Sequence, residues 1–382
     1  MLDNIKVAVI GTQGVPAHYG GFESMVENVI GFGPELGIEF TVFCSSPDLP
    51  STSKPRLRSY KGATLKYVPL HANGIQSVAY DIVSMLRALR GYDALLILGV
   101  SGCMFMPALR LLTRGKRLVV NIDGLEHRRN KWGRLARWIL RESEALTVRH
   151  ADAIVADNKG IQDYVTETYG IHSELIAYGG DHVLREMSQE KQEAVLKHYG
   201  LQRGEYAAAV CRIEPENNCH VVLEAAARSG HPLLFVGNWE HCDYARELRR
   251  KYNGVSQIHI VEAVYDLETL YALRANAGIY VHGHSAGGTN PSLVEAMWLG
   301  RPVAAFDVVY NRETTQGSAA YWKDEDDLTE LLAGDREADW SAMGEKMEEI
   351  ARAEYNWRRI ASLYARLLRG RENASLFWTG EQ

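Results

Sequence analysis

No apolar run in the chain is long enough to cross a bilayer: the strongest, Ala94 to Val100, falls far short of the roughly 20 residues a membrane helix requires. Cysteine pairing is missing as well. The five cysteines, Cys44, Cys103, Cys211, Cys219 and Cys242, are odd in number, scattered and without metal-ligand spacing, which argues against a disulfide framework or a zinc ribbon and fits reduced thiols in the cytosol. Excess positive charge is absent too, and a formal net charge of -6 argues against a nucleic-acid binder. No basic region, long apolar stretch and cleavage site precede the first apolar run at Val7, so no secretion signal is expected. There is no lysine-bearing P-loop, no G-x-S-x-G nucleophile elbow and no short repeat. The glycines after the first apolar run fail the G-x-G-x-x-G pattern at its second glycine, which argues against a nicotinamide enzyme.

What is present is a rhythm. Val7–Ile10, Phe40–Phe43, Ala94–Leu98, Leu118–Ile122 and Ala153–Val155 are short apolar runs separated by amphipathic stretches, the pattern of a parallel sheet covered on both faces. A second series follows in Ala207–Val210, Leu233–Val236, Ile258–Ile260, Gly278–Val281 and Pro302–Phe306. At 382 residues the chain exceeds the size at which one core stops growing. The fold class expected is therefore α/β, as two doubly wound Rossmann-like domains, residues 1–180 and 181–355, with ligand at strand C-termini in a cleft between them. Gly179 and Gly180 read as a hinge at the boundary. Trp357, Ile360, Tyr364 and Leu367 recur at helical spacing near the chain end, so that helix must pack on something.

The most informative stretch runs from His282 to Met297. A buried strand leads into a glycine-rich turn, then Asn290 offers an N-cap with Pro291 at the first helical position. Free N–H groups at a helix start suit a phosphate, and Glu295, one turn inside, suits sugar hydroxyls beside it. An ordinary strand-loop-helix connection gives the same pattern. Arg212, at the end of the second domain's first strand, can grip a diphosphate with two bonds or be a plain surface arginine. In Gly11–Glu23, Gly11, Gly14, Gly20 and Gly21 allow close backbone approach, and His18, Tyr19 and Glu23 add polar groups; a long structural turn is the alternative. Asp123, Glu126 and His127 follow a first-domain strand and can grip hydroxyls or move a proton, although a helix-capping Asp accounts for the same pattern.

Residues 128–149 collect Arg128, Arg129, Lys131, Arg134, Arg137, Arg141 and Arg149 with Trp132 and Trp138, in an otherwise acidic chain. Basic residues interleaved with tryptophan suit an anionic lipid surface, and a solvated helix face with Trp138 and Ile139 in the core is the alternative. The acidic run Lys323–Asp327 reads as solvated surface. His282 and His284 are expected to point opposite ways and to make a poor chelate, so no metal is assigned.

In order and spacing these parts resemble the retaining glycosyltransferases of family 4, which have the GT-B fold. The resemblance covers nearly the whole chain. It includes the loop Gly14 to Gly21, Tyr178-Gly-Gly-Asp181, Arg212, the Pro291–Met297 helix and the Trp357 helix, which in that fold (residues 356–378 here) returns to the first domain. Two positions depart from the common pattern: the Lys five places after the arginine is Asn217, and the Glu eight places before Glu295 is Gly287. Tyr19-Gly-Gly-Phe-Glu23, Asp123-Gly-Leu-Glu126, Arg212–Asn218 and Gly287–Ser292 look like the branch of bacterial β1,4-rhamnosyltransferases, where those departures become a branch signature.

The resemblance implies a metal-independent hexosyltransferase with no cofactor. Its donor would be a nucleotide-diphosphate sugar, dTDP-rhamnose favoured, and its acceptor a saccharide, such as a polyprenyl-diphosphate-linked sugar of cell-surface polysaccharide. Arg212, Asn217, Glu295 and Asp123 would be catalytic. Gly20, Gly21, Thr289, Asn290, Pro291, Ser292, Leu293 and Glu295 would hold the donor, and His18, Tyr19, Glu23, Asp123 and Glu126 the acceptor. The protein would be cytoplasmic, peripheral on the inner membrane face through residues 128–149. A nucleotide-sugar epimerase and a catalytically silent sugar-nucleotide-binding protein remain as alternatives.

Overall fold

The computed structural model describes residues 4–17, 20–48, 56–74, 76–122, 124, 133–334 and 337–370. The chain divides into two compact units, the first running to Asp157 and including Ile161–Ile176 and the chain from Arg358 onward, the second comprising Asn158–Gly160 and Ala177–Trp357.

The first unit holds eight strands: β1 (Ile5–Ile10), β2 (Ile38–Ser45), β3 (Ser59–Tyr60), β4 (Ala63–Val68), β5 (Ala94–Leu98), β6 (Arg117–Asn121), β7 (Ala153–Ala156) and β8 (Glu174–Leu175). Their order is β3-β4-β2-β1-β5-β6-β7-β8, with every pairing parallel except β3 with β4. Val7, Ala8, Val9 and Ile10 are buried on both pleat faces, which is why β1 reads as an unbroken apolar run. Strand order reverses between β1 and β5, the switch point at which such sheets open a crevice beyond their C-terminal ends. Gly11 stands there at φ +92°, and a Cβ on it would lie 2.0 Å from the Leu98 carbonyl oxygen, so both its conformation and its space demand glycine. The helix Trp357–Leu368 packs on this unit from Arg358 on: Asn121 Nδ2 donates to Tyr364 Oη at 2.8 Å and Arg117 Nε to Leu367 O at 3.0 Å.

The second unit holds β9 (Ala207–Val210), β10 (Leu233–Gly237), β11 (Ile258–Glu262), β12 (Ile279–His282), β13 (Val303–Phe306) and β14 (Ala320–Trp322). All pair in parallel in the order β11-β10-β9-β12-β13-β14, so the switch point lies between β9 and β12. Two doubly wound Rossmann-like domains are the architecture that the apolar rhythm predicts. Gly179 and Gly180, read as a hinge, have a packing reason to be glycine. A Cβ on Gly179 would meet the Trp357 indole at 2.5 Å, and one on Gly180 the Trp298 indole at 2.5 Å, so these glycines are close-packing positions. Among the described residues no helix is long and apolar enough to cross a membrane.

Candidate functional site

The loops leaving β9 and β12 meet at the switch point of the second unit and are stitched together. Asn218 Nδ2 donates to Gly283 O at 2.9 Å, and both the amide and the hydroxyl of Ser285 donate to Glu216 O at 2.9 Å. Gly283 is glycine because a Cβ there would lie 2.2 Å from Asn217 O. After His284 comes the turn Ser285–Thr289, in which Gly287 sits at φ +76°. In that left-handed backbone a glutamate would be strained. Among the described residues, no hydrogen bond engages the amides of Ala286, Gly287 or Gly288.

Helix Pro291–Trp298 begins as expected, with Asn290 as N-cap: its Oδ1 accepts from Ser292 N at 3.0 Å and from Ser292 Oγ at 2.8 Å. Leu293 N donates to Asn290 O at 3.1 Å. The Ser292 and Leu293 amides are thus engaged within the cap, which leaves the amides of the preceding glycine turn as the open donors. Thr289 is buried, and its Oγ1 accepts from Asn158 Nδ2 at 3.4 Å.

Glu295 lies on the first turns of this helix between Arg274 and His182. Arg274, only 4% exposed, binds Glu295 Oε2 through Nη1 and the Ser292 carbonyl through Nη2 at 2.7 Å. His182 Nε2 lies 3.3 Å from Glu295 Oε1. Trp357 Nε1 donates to His182 Nδ1 at 2.9 Å, so the proton of the neutral ring sits on Nε2 and points toward the carboxylate. Burial alone would raise the Glu295 pKa, but the charge of Arg274 and the hydrogen bond from His182 outweigh it and hold it down at about 2. The result is a carboxylate kept ionised in a buried place, with lone pairs beyond the two it has committed.

Arg212 is partly exposed, 3.6 Å from Glu214 and 3.7 Å from Glu216. Asn217 is placed otherwise than expected. It is 4% exposed, its Nδ2 donates to Arg212 O at 2.7 Å, and its Oδ1 faces His284 Nδ1 at 2.7 Å. Both ends of the amide are used inside the protein, so it supports the loop rather than reaching outward. His282 and His284 also differ from expectation: they do not point opposite ways, and their ring centroids lie 6.2 Å apart, His282 at the end of β12 and His284 just beyond it. His282 is 2% exposed, and its Nε2 has no partner among the described residues. Burial, with the charges of His284 and Arg274 adding to it, pushes its pKa well below the usual value. Among the described residues, no group of three His, Cys, Asp or Glu side chains is placed to hold a metal ion.

In the first unit, Glu23 on helix Gly21–Ile30 turns back under the β1 loop. Its Oε1 accepts from Thr12 Oγ1 at 2.9 Å and Gln13 N at 2.7 Å. Gly20, at φ +113°, leaves the room that Glu23 Oε2 fills, since a Cβ there would sit 2.0 Å from it. Glu23 therefore shapes the loop in which Gly20 and Gly21 lie. His18, Tyr19, Asp123, Glu126 and His127 lie outside the described residues, as do Arg128, Arg129, Lys131 and Trp132. Of the basic stretch, helix Arg134–His150 is described. Trp138 is 56% and Leu135 71% exposed, which removes Trp138 from the core. The neighbouring helix Met106–Leu112 adds exposed Leu111 and Leu112.

Arg274 and His182 are the site residues that sequence reasoning missed. Arg274 reads as one more charged residue on helix Leu267–Ala275, and His182 as part of a polar linker, and neither has a spacing that ties it to Glu295.

Residues 4–181 match the family described as Domain of unknown function (DUF1972), and residues 191–338 match Glycosyl transferases group 1. No curated protein matches the chain. Among solved structures, sucrose-phosphate synthase from Thermosynechococcus elongatus is similar at TM-score 0.76 and 17% identity, covering 97% of this chain and 100% of that one. HepE of Anabaena, in complex with UDP-glucose, is similar at TM-score 0.75 and 13% identity, covering 96% and 100%. The α,α-trehalose 6-phosphate synthase of Burkholderia multivorans follows at TM-score 0.68 and 12% identity, covering 97% of each chain. At these identities the structures establish the fold, two Rossmann-like domains of the GT-B type. The group 1 match spans the switch-point loops and supports a glycosyltransferase.

Proposed function

We propose that the chain transfers a hexose or deoxyhexose from a nucleotide-diphosphate sugar to a saccharide acceptor, with retention and without metal. The observation that carries this reading is Glu295, held ionised by Arg274 and His182 beside a glycine turn with open amides, inside the part of the chain that matches glycosyl transferases group 1. Glu295 accepts bonds from hydroxyls of the nucleotide's sugar ring. The Ala286–Gly288 amides and Arg212 hold the diphosphate, which gathers charge as the glycosidic bond breaks. The electron-poor anomeric carbon is attacked by the acceptor hydroxyl from the face the diphosphate leaves, and the leaving phosphate takes the hydroxyl proton. No enzyme nucleophile is required.

Asp123, Glu126, His18, Tyr19 and Glu23 belong to the acceptor side in this proposal, Glu23 by shaping its loop. The favoured donor is dTDP-L-rhamnose, and the favoured acceptor a polyprenyl-diphosphate-linked sugar of bacterial cell-surface polysaccharide. A catalytically silent nucleotide-sugar binder is the second reading, favoured by Asn217 being turned inward and by the missing carboxylate at Gly287.

The test is incubation of the purified protein with a panel of nucleotide sugars, with and without lipid-diphosphate acceptors, followed by nucleotide release and product mass. Acceptor-dependent release supports the transferase, acceptor-independent isomerisation would make it an epimerase, and binding without turnover the silent binder. Arg212→Ala should lower kcat/KM for donor by about 2–3 kcal/mol of transition-state stabilisation, the worth of a charged hydrogen bond. Unchanged donor kinetics would remove Arg212 from the site.

A lipid-linked acceptor implies work at a membrane surface. Arg134, Leu135, Trp138 and Arg141 are all exposed and recur at helical spacing on one face of their helix. Substituting Leu135 and Trp138 by Ser should release the protein from anionic liposomes in a sedimentation assay at low salt. Wild-type protein that ignores such liposomes under the same conditions would give this face another role.

A further inference from the structure

Two thiols bracket the β9 loop that carries Arg212. The strand ends at Val210, and Cys211 is fixed just beyond it: its amide donates to Val236 O at 3.3 Å, and a Cβ on Gly237 would lie 2.8 Å from its carbonyl oxygen. Pro215–Asn217 then forms one turn of 3-10 helix, Asn218 follows at φ +47°, and Cys219 begins helix Cys219–Ser229. By this point the chain has come back on itself, with Cys219 Sγ 3.9 Å from Cys211 Sγ. Cys219 is buried and Cys211 half-buried. The Cys219 thiol also ties the loop, since its Sγ donates to Glu214 O at 3.6 Å and to Arg212 O at 3.8 Å. A thiol proton is thus part of what sets the backbone at Arg212.

We propose that Cys211 and Cys219 are a reversible modification site, a dithiol that closes to a disulfide under hydrogen peroxide and so weakens the hold of Arg212 on the diphosphate. The cross-link stands on the sulfur geometry, and its effect on ligand rests on the donor-site reading. Closure brings the sulfurs from 3.9 Å to about 2.05 Å. Burial, with Cys211 beside it, pushes the Cys219 thiol well above its usual pKa, so it rests protonated, and the half-buried Cys211 is the one a small oxidant reaches first. Cys211 sulfur, deprotonated, takes one oxygen of the peroxide; the O–O bond breaks and the other oxygen leaves as water, with Cys211 now a sulfenic acid. Cys219 sulfur then displaces that oxygen: the S–S bond forms, the S–O bond breaks, and the Cys219 proton leaves in a second water. Two electrons pass from the thiol pair to the peroxide. The disulfide has no proton to give to Glu214 O or Arg212 O, so the loop loses both ties. In a reducing compartment the pair rests open, which makes it a switch and not a permanent staple. Cys242, half-buried, donates to Ile213 O at 3.6 Å and is the competing thiol on this loop.

The test treats the folded full chain with hydrogen peroxide, maps its cross-links by mass spectrometry of proteolytic peptides, and titrates UDP-glucose and dTDP-glucose calorimetrically into the reduced, oxidised and dithiothreitol-treated forms. A Cys211–Cys219 cross-link should appear and be removed by dithiothreitol. The oxidised form should bind nucleotide sugar about tenfold or more weakly than the reduced form, and dithiothreitol should restore the affinity. Cys211→Ser and Cys219→Ser should each bind as the reduced wild type does and ignore peroxide, whereas Cys242→Ser should keep the full response. If Cys219→Ser does not fold, Cys211→Ser at the half-buried position decides alone. Absence of the cross-link, or a cross-link to Cys242 in its place, overturns the modification site. A Cys211–Cys219 cross-link that leaves affinity unchanged, or a loss of affinity that survives Cys211→Ser, overturns its control of the ligand and leaves the donor site standing. A reduced protein that binds neither nucleotide sugar overturns the donor-site reading and that control together, while the mapped cross-link still decides the chemistry of the pair.

Discussion

Arg274→Met should destabilise the second domain by about 3–5 kcal/mol at neutral pH, the penalty for stranding one partner of a buried ion pair. Arg274 is 4% exposed and holds Glu295 from one side, while its guanidinium lies 5.7 Å from the centre of the Tyr280 ring. Methionine fills the aliphatic volume but leaves Glu295 with His182 as its remaining partner at 3.3 Å. The carboxyl pKa, held at about 2 in the intact pair, should then rise, because the burial that Arg274 outweighs is left unopposed. A folded pKa below the unfolded value means that the pair's contribution is present above the ordinary carboxylate range and disappears as pH falls toward 2. The double variant Arg274→Met, Glu295→Gln should recover part of the loss, since no buried charge remains to be stranded. Hydrogen exchange in β12 and helix Pro291–Trp298, compared among the three proteins, reads this domain apart from the other. A loss under about 1 kcal/mol in the single variant would mean that Glu295 is solvated enough to need no partner, and its role as a preset ribose acceptor would fall with it.

The parts of this protein that could be read from its sequence are those whose physics is local. Strands buried on both faces announce themselves as apolar runs, so β1, β2, β5 and β6 and their counterparts from β9 to β13 appear within a residue or two of their observed ends. β4 and β14 escape notice for opposite reasons. In β4 the exposed Thr64 and Lys66 alternate with buried Ala63 and Leu65, and β14 is three residues long. The N-cap at Asn290 is equally local and is found where the sequence puts it. Orientation is not local. An asparagine five residues after an arginine carries no mark of which way it faces, and the pairing of Asn217 with His284 spans 67 positions. Arg274 meets Glu295 across 21 positions, from helix Leu267–Ala275 to helix Pro291–Trp298, with β12 and its loop between them in the chain.

Asp81 gives the second large effect, in the first domain and with the opposite sign. Its carboxyl is buried beneath the turn that follows β5, with Gly102 N donating to Oδ2 at 3.1 Å, and a Cβ on Gly102 would lie 2.4 Å from the Asp81 Cβ. Burial pushes its pKa up to about 8, and the single amide bond opposes this only in part. The folded domain therefore holds a proton that the unfolded chain releases near the ordinary aspartate value of about 4. The stabilisation is complete below that value and is lost as pH rises through about 8, so stability should fall across the interval by on the order of a few kcal/mol. Asp81→Asn keeps the oxygen that accepts from Gly102 and cannot ionise. It should be the more stable protein at about pH 8 and lose its advantage toward about pH 4, which hydrogen exchange in β5 and the following turn would measure. Parallel curves for the two proteins over this range would mean that Asp81 is ionised in the folded state, and that the turn from Gly99 to Met106 closes around a charge.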